Sequence, residues 1–192
     1  MGEPGRRLAR FRVGETLART GARPAEALAR RRVPLGFITA GAVLLLANPT
    51  WRTWAVGLAV ALVGEAFRLW AAGHLEKSRE ITRSGPYGLT RHPLYVGSAV
   101  IALGVVVAAN SLAVAIVTAI YIGATITAAI RTEEAFLAGA FGSTYEEYRV
   151  SRAEPMSRRF SWARARRNRE QRALSGVLIG FALLALRIVL PV

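Results

Sequence analysis

Long apolar blocks alternate with arginine-rich segments along this chain, and that alternation limits the fold more than any single motif. Five stretches, residues 34–48, 51–70, 94–109, 111–130 and 173–190, carry few or no charges. A transmembrane helix needs about 20 such residues, within a range of about 17–25. The second, fourth and fifth stretches reach that length alone. The first and third each adjoin a longer run across a tight turn, Asn48-Pro49-Thr50 or Asn110-Ser111. The pattern predicts an all-α, polytopic integral membrane protein of about five transmembrane helices. These form two hairpins, 34–70 and 94–130, and a closing helix, 173–190; a re-entrant first segment would leave four spans.

A net charge of +14 suggests nucleic acid at first sight. The position of the charge decides otherwise. Segments 1–33, 71–93 and 131–172 hold nine, four and ten basic residues, so 23 of 26 fall on one side of the predicted membrane. The opposite turns hold only Arg52. Basic loops mark the cytoplasmic side, which places the N-terminus inside and the C-terminus outside. Lys77 is the one lysine beside 25 arginines, and with abundant Ala, Gly and Val this usage fits a GC-rich bacterial genome and an inner membrane. Nucleic acid is set aside as a partner, and membrane lipids take its place. The chain reads as a basic cytoplasmic segment, 1–33, and one transmembrane domain, 34–192. Its first 33 residues form either a solvated tail or a surface-lying helix that sets Leu8, Phe11 and Leu17 in lipid. The run 157–172, with seven arginines before the last span, reads as an attachment to anionic lipid.

Cysteine is absent, which excludes disulfides, thiol nucleophiles and thiolate metal sites. His74 and His92 lack the spacing of a helical zinc pair, so no metal site is expected. No Gly-x-Gly-x-x-Gly follows a strand, so a Rossmann cofactor domain is not expected either.

Two cytoplasmic segments carry the residues suited to chemistry. In 71–97, Gly85-Pro86 marks a turn. His92 precedes Pro93 and is biased away from helical dihedrals, whereas Pro93 is suited to open the third span. Arg91 and His92 thus stand at a helix N-terminus, beside free amide donors that suit an anionic group. Gly97, one turn on from Pro93 and Tyr95, allows close approach of a ligand or of a neighbouring helix. In 131–149, Glu133 and Glu134 lie where the fourth span leaves the membrane. Phe136, Leu137, Phe141, Tyr145 and Tyr148 follow at helical spacing, as in an interfacial amphipathic helix. The paired acids suit an ammonium group, or equally a solvated helix start with ion pairs to Arg131 or Arg91. Glu65 and Arg68 stand at i and i+3 in the second span, where ionisable groups are functional by default and a mutual ion pair is the bland alternative. His74 and Lys77 suit either the mouth of a site or a headgroup contact. Tyr145, Tyr148 and Trp162 suit interfacial anchoring.

Ser84-Gly85-Pro86-Tyr87-Gly88-Leu89-Thr90-Arg91-His92-Pro93-Leu94-Tyr95-Val96-Gly97, two spans, and then Arg131-Thr132-Glu133-Glu134 with Tyr145-Glu146-Glu147-Tyr148 closely resemble the isoprenylcysteine carboxyl methyltransferase and phospholipid methyltransferase superfamily. Arg68-Leu69-Trp70-Ala71 resembles the helix end that precedes the motif there, and the likeness covers roughly residues 65–150. It implies S-adenosylmethionine as methyl donor, held by Tyr87, Arg91, His92, Pro93, Tyr95 and Gly97, with Glu133 or Glu134 on its polar groups. Arg68, Arg91 and Glu134, by their charge and placement, are the candidate catalytic residues. The acceptor would be lipid-like and reach the site laterally from the bilayer; phospholipid amines, isoprenoid acids and quinone-like lipids stay open. Arg91 or Arg68 would serve a carboxylate acceptor, and Glu65, Glu133 or Glu134 an amine. The segment after Tyr148 and the helix at 173–190 depart from the family pattern, which leaves the acceptor side less defined than the cofactor side. Two alternatives stand beside this reading: an NADPH-dependent membrane reductase of sterol-reductase type, and a non-catalytic membrane subunit of the same fold.

Overall fold

The computed structural model describes residue 31 and residues 34–77, 79–150, 154 and 156–190. The expected basic N-terminal segment therefore lies outside the described residues except at Arg31. The described chain is a polytopic helical membrane protein without strands, built from α1 (Pro34–Leu46), α2 (Trp51–His74), α3 (Pro93–Ala109), α4 (Leu112–Arg149), α5 (Trp162–Arg167) and α6 (Glu170–Val189). By length and composition α2, α4 and α6 are able to cross a membrane, whereas α1 and α3 are apolar but shorter.

Both hairpin turns are built from polar residues that cap the helices around them. Thr50 and Thr53 exchange hydrogen bonds at the start of α2, with Thr53 N donating to Thr50 Oγ1 at 3.2 Å and Thr50 N to Thr53 Oγ1 at 3.0 Å. That satisfies two amides the helix leaves free. Asn110 ends α3 in the left-handed region, at φ 48°, and Ser111 caps α4 by accepting from Val114 N. The turns are also tied to each other: Asn48 N donates to Ala109 O at 2.8 Å and Asn110 Nδ2 to Asn48 O at 3.3 Å. The two predicted hairpins thus meet at the arginine-poor end.

Small residues bring α2 and α3 together. Gly57 abuts Gly104 and Ala108, and seven residues along, Gly64 abuts Gly97 and Ile101. Lipid tails are as apolar as leucine, so such helices associate through close packing, and glycine lets the backbones approach. A Cβ at Gly104 would lie 2.5 Å from Gly57 O and 2.6 Å from Ala61 N. Gly104→Val is accordingly expected to part the two helices and destabilise the protein by about 1–3 kcal/mol. Gly123→Val, on a face where a Cβ meets nothing within 4 Å, should leave thermal unfolding in detergent unchanged.

Helix α6 is fastened to α2 at two levels and to the end of α1 at a third. Arg68 binds Glu170 at one end, Trp54 Nε1 donates to Phe181 O at 2.8 Å in the middle, and Arg187 donates to Ala47 O at 2.8 Å and Leu45 O at 3.1 Å at the other end. Between these ties Phe181 and Leu184 join Val43, Ala47, Ala61, Ala108 and Val114 in the buried core.

Three boundaries differ from the sequence reading. Helix α2 runs a turn past residue 70, because Ala71 and Ala72 favour helix. The fourth span and the amphipathic stretch 131–149 form one helix, since no proline separates them; its break falls at Gly142, φ 48°. The basic run 157–172 holds a short helix, α5, and turns inward rather than only toward lipid. Ser161 N and Arg164 Nε donate to Gly73 O, Arg158 to His74 O, and Asn168 Nδ2 to Ala72 O and Leu75 O. These are the carbonyls that the end of a helix leaves unpaired, and arginine there also complements the helix dipole. Glu76 and Glu80 hold arginines of the same segment, with Arg167 2.9 Å from Glu76 and Arg158 Nη2 2.8 Å from Glu80.

Candidate functional site

The loop between α2 and α3 is anchored before it reaches its reactive-looking residues. His74 is buried, not at a site mouth, and its Nδ1 lies 3.1 Å from Ser84 Oγ. Gly85 sits directly on that ring: its φ is 58°, and a Cβ there would come within 2.8 Å of the imidazole. A single 3-10 turn, Gly85–Gly88, then buries Pro86 and Tyr87. Lys77 stays exposed. The anchored turn delivers Arg91 and His92 to the start of α3, where His92 is the N-cap and Pro93 the first helical residue.

Glu134 of α4 meets both basic residues with one oxygen. Its Oε1 lies 3.1 Å from His92 Nε2 and 3.3 Å from Arg91 Nη1. The His92 ring lies beside that of Tyr95, with centroids 5.9 Å apart. The second imidazole nitrogen, Nδ1, is buried and without a hydrogen-bonding partner among the described residues. Tyr148, further along α4, donates from its hydroxyl to Tyr87 O at 3.1 Å and so ties α4 to the 3-10 turn. Burial, and after it the nearby Glu133 carboxylate, push the Tyr87 phenol well above its usual pKa, which keeps it a proton donor across the working range. The structure thus gathers Tyr87, Arg91, His92, Pro93, Tyr95, Glu133 and Glu134 at the arginine-rich end of the bundle.

Arg68 and Gly97 lie together a little deeper. A Cβ on Gly97 would meet Arg68 Cγ at 2.5 Å and Gly64 O at 2.8 Å, which places Gly97 in the contact between α2 and α3 rather than beside Glu134. The Arg68 guanidinium is fully engaged: Nε donates to Glu170 Oε1 at 2.7 Å, Nη2 to Glu170 Oε2 at 3.3 Å, and Nη1 to Ser98 Oγ and Leu94 O. Glu65 stands at 3.9 Å, so two buried carboxylates share one cation. Sequence reasoning missed Glu170. Its signal was present, as the one acid between Arg158 and the last apolar run. Tyr148, read as an interfacial anchor, proves to be a tie within the site.

On the apolar side of Arg68 and Ser98 lies a cavity of about 490 Å³. Helix α1 contributes Val43 and Leu44, α3 Ile101 and Val105, α4 Thr118 and Ile122, and α6 the face from Ala173 to Leu184. Its volume falls in the range of small-molecule sites.

Residues 37–144 match the family model described as phospholipid methyltransferase. Among curated proteins, the chain is 38% identical over 122 residues to a cobalt-zinc-cadmium resistance protein of Cupriavidus metallidurans, covering 57% of this chain and 54% of that one. It is 31% identical over 91 residues to the protein-S-isoprenylcysteine O-methyltransferase of Schizosaccharomyces pombe, covering 47% of this chain and 39% of that one. It is 35% identical over 88 residues to a nickel-cobalt-cadmium resistance protein of Alcaligenes xylosoxydans xylosoxydans, 45% of this chain and 40% of that one. The match thus spans about half or less of each relative's length. No solved structure matches the chain.

Proposed function

Because the chain belongs to the phospholipid methyltransferase family, we propose that it transfers a methyl group from S-adenosylmethionine to a lipid-borne acceptor at the cytoplasmic face of a bacterial inner membrane. The observation that carries this reading is the Arg91–Glu134–His92 group, placed by two separate helices at the arginine-rich end. When bound, S-adenosylmethionine supplies a methyl group on a sulfonium, activated for attack. The residues present suit such a molecule. It carries an ammonium, a carboxylate and an aromatic base, and the site offers Glu133 and Glu134, Arg91, and the rings of Tyr87 and Tyr95. The buried His92 Nδ1 adds a polar atom that no group among the described residues satisfies, and buried polar atoms in native proteins are nearly always paired. Positioning and exclusion of water are what methyl transfer asks of a protein, more than a covalent nucleophile.

The charges favour one acceptor class. Arg68 and Arg91 are the two arginines a carboxylate acceptor would use, and Glu170 and Glu134 already neutralise them. Glu65 adds a further negative charge beside Arg68. A neutral or cationic amine fits these surroundings better than an acid, so N-methylation is the preferred reading. The metal-resistance names of two relatives suggest the cellular setting, tolerance of transition metals.

Calorimetric titration of S-adenosylmethionine and its demethylated product into detergent-purified protein tests the proposal, with NADPH as the control. Saturable binding of both at about one site per chain is the expected result. Binding of NADPH alone would move the protein to the reductases, and binding of none of the three would favour a non-catalytic subunit.

A further inference from the structure

The glycines of the membrane helices divide into two kinds. Gly57, Gly64, Gly97 and Gly104 are filled positions, where an added Cβ would strike backbone of the neighbouring helix within 2.8 Å. At Gly41, Gly123, Gly139, Gly176 and Gly180 an added Cβ would meet nothing within 4 Å among the described residues, and of these Gly176 and Gly180 line a cavity. Glycine in a helix costs backbone entropy, which a close helix contact offsets. At these two positions no protein contact does so. Both glycines, one turn apart, line the cavity behind Arg68 and Ser98.

The facing wall, on α4, carries a second unmet feature. Thr118 lines the same cavity and is 7% exposed, yet its Oγ1 has no hydrogen-bonding partner among the described residues. Threonine in a helix ordinarily bonds the carbonyl four residues back, as Thr125 does to Tyr121 at 2.6 Å. A buried hydroxyl left unpaired in an apolar setting is unfavourable unless a partner arrives. The other polar side chains of the lining are Thr39 and Tyr121, with Arg68 and Ser98 at one end, and the remainder is apolar.

We propose that the space between α4 and α6 binds a single lipid chain bearing an oxygen along its length. Gly176 and Gly180 make the room for the chain, and Thr118 supplies one hydrogen bond to the oxygen. These three are specificity-determining positions. Two of them lie on α6, beyond the residues 37–144 that match the family model. The inference does not rest on methyl transfer and holds for any chemistry at the arginine-rich end.

Binding of radiolabelled octadecanol and of its mid-chain hydroxylated analogue to the purified full-length protein tests it. The hydroxylated probe should bind about fivefold tighter, the value of one net hydrogen bond, and Thr118→Val should abolish that preference. The double variant Gly176→Leu/Gly180→Leu should weaken both probes by about tenfold or more, by filling space that about two methylenes of the chain would occupy. Gly123→Leu, which adds one such side chain on an open face of α4 outside the cavity, should change neither. Unfolding midpoints measured alongside report whether each variant folds, and Gly180→Ala gives a milder version should the double variant fail to do so. Unchanged binding in a folded Gly176/Gly180 variant overturns the site. Equal binding of the two probes to the unaltered protein overturns selection by Thr118.

Discussion

Exchange of Glu134 for glutamine is expected to weaken S-adenosylmethionine binding by about ten- to a hundredfold, with little change in unfolding midpoint. Glu134 Oε1 receives both Arg91 Nη1 and His92 Nε2. These two residues stand at the start of α3, where the helix dipole is already positive. Without the carboxylate, Arg91 and His92 lose the one charged group that joins them among the described residues. Hydrogen bonds to a charged group are worth about 1.5–3 kcal/mol, which gives the range of affinity loss. Stability should hold because the Glu134 side chain is 32% exposed and Arg91 is 42% exposed, so screening limits what the pair adds to folding. Glu147→Gln, on the exposed side of the same helix, is the control and should bind as the unaltered chain does. Calorimetry with both variants, and with His92→Ala, separates the outcomes. Unchanged affinity in both Glu134→Gln and His92→Ala would remove the cofactor pocket from this end of the bundle. A parallel loss in Glu147→Gln would assign the effect to α4 as a whole.

How much of this was legible before the structure depends on the range over which each residue acts. Apolar length and arginine placement are local properties, so the helices and the shared side of their basic connections could be read directly. Arg91-His92-Pro93 could also be read, since proline fixes both the start of a helix and the conformation before it. The partner of His92 was only half legible: Glu134 was a candidate, but nothing in the sequence separates it from Glu133. The heptad pairing of Gly57 with Gly104 and of Gly64 with Gly97 needs the register of two antiparallel helices, which no local signal sets. The inward role of the 158–168 segment was hidden for a related reason. Its arginines satisfy helix-end carbonyls more than 80 residues away in the chain, at Gly73 and His74. A run of arginine before a span looks the same whether it meets phosphate or backbone. Glu170 was overlooked because a single acid among seven arginines reads as local charge balance, whereas its partner, Arg68, lies 102 positions away.

Replacement of Arg68 by methionine is expected to destabilise the protein by about 3–5 kcal/mol, the cost of leaving a buried carboxylate without its cation. Glu170 is 5% exposed and receives two of the guanidinium donors; Glu65, 7% exposed, depends on the same cation at 3.9 Å. The pair also holds the first turn of α6 against α2, so its loss loosens a wall of the cavity as well. Converting the whole cluster to uncharged groups, Arg68→Met with Glu170→Met and Glu65→Gln, should recover most of the stability, since a buried ion pair is often no better than apolar residues of similar volume. Denaturant unfolding in detergent of the single and triple variants measures both steps. The same proteins decide what Arg68 is for. If the triple variant is stable and still transfers methyl groups, Arg68 is the bolt between α2 and α6. A variant that is stable, binds S-adenosylmethionine with unchanged affinity and has lost turnover would instead put the guanidinium in contact with the acceptor, as the sequence suggested. Both outcomes follow from one geometric fact: Arg68 lines the cavity while its guanidinium is held by Glu170 at the start of α6.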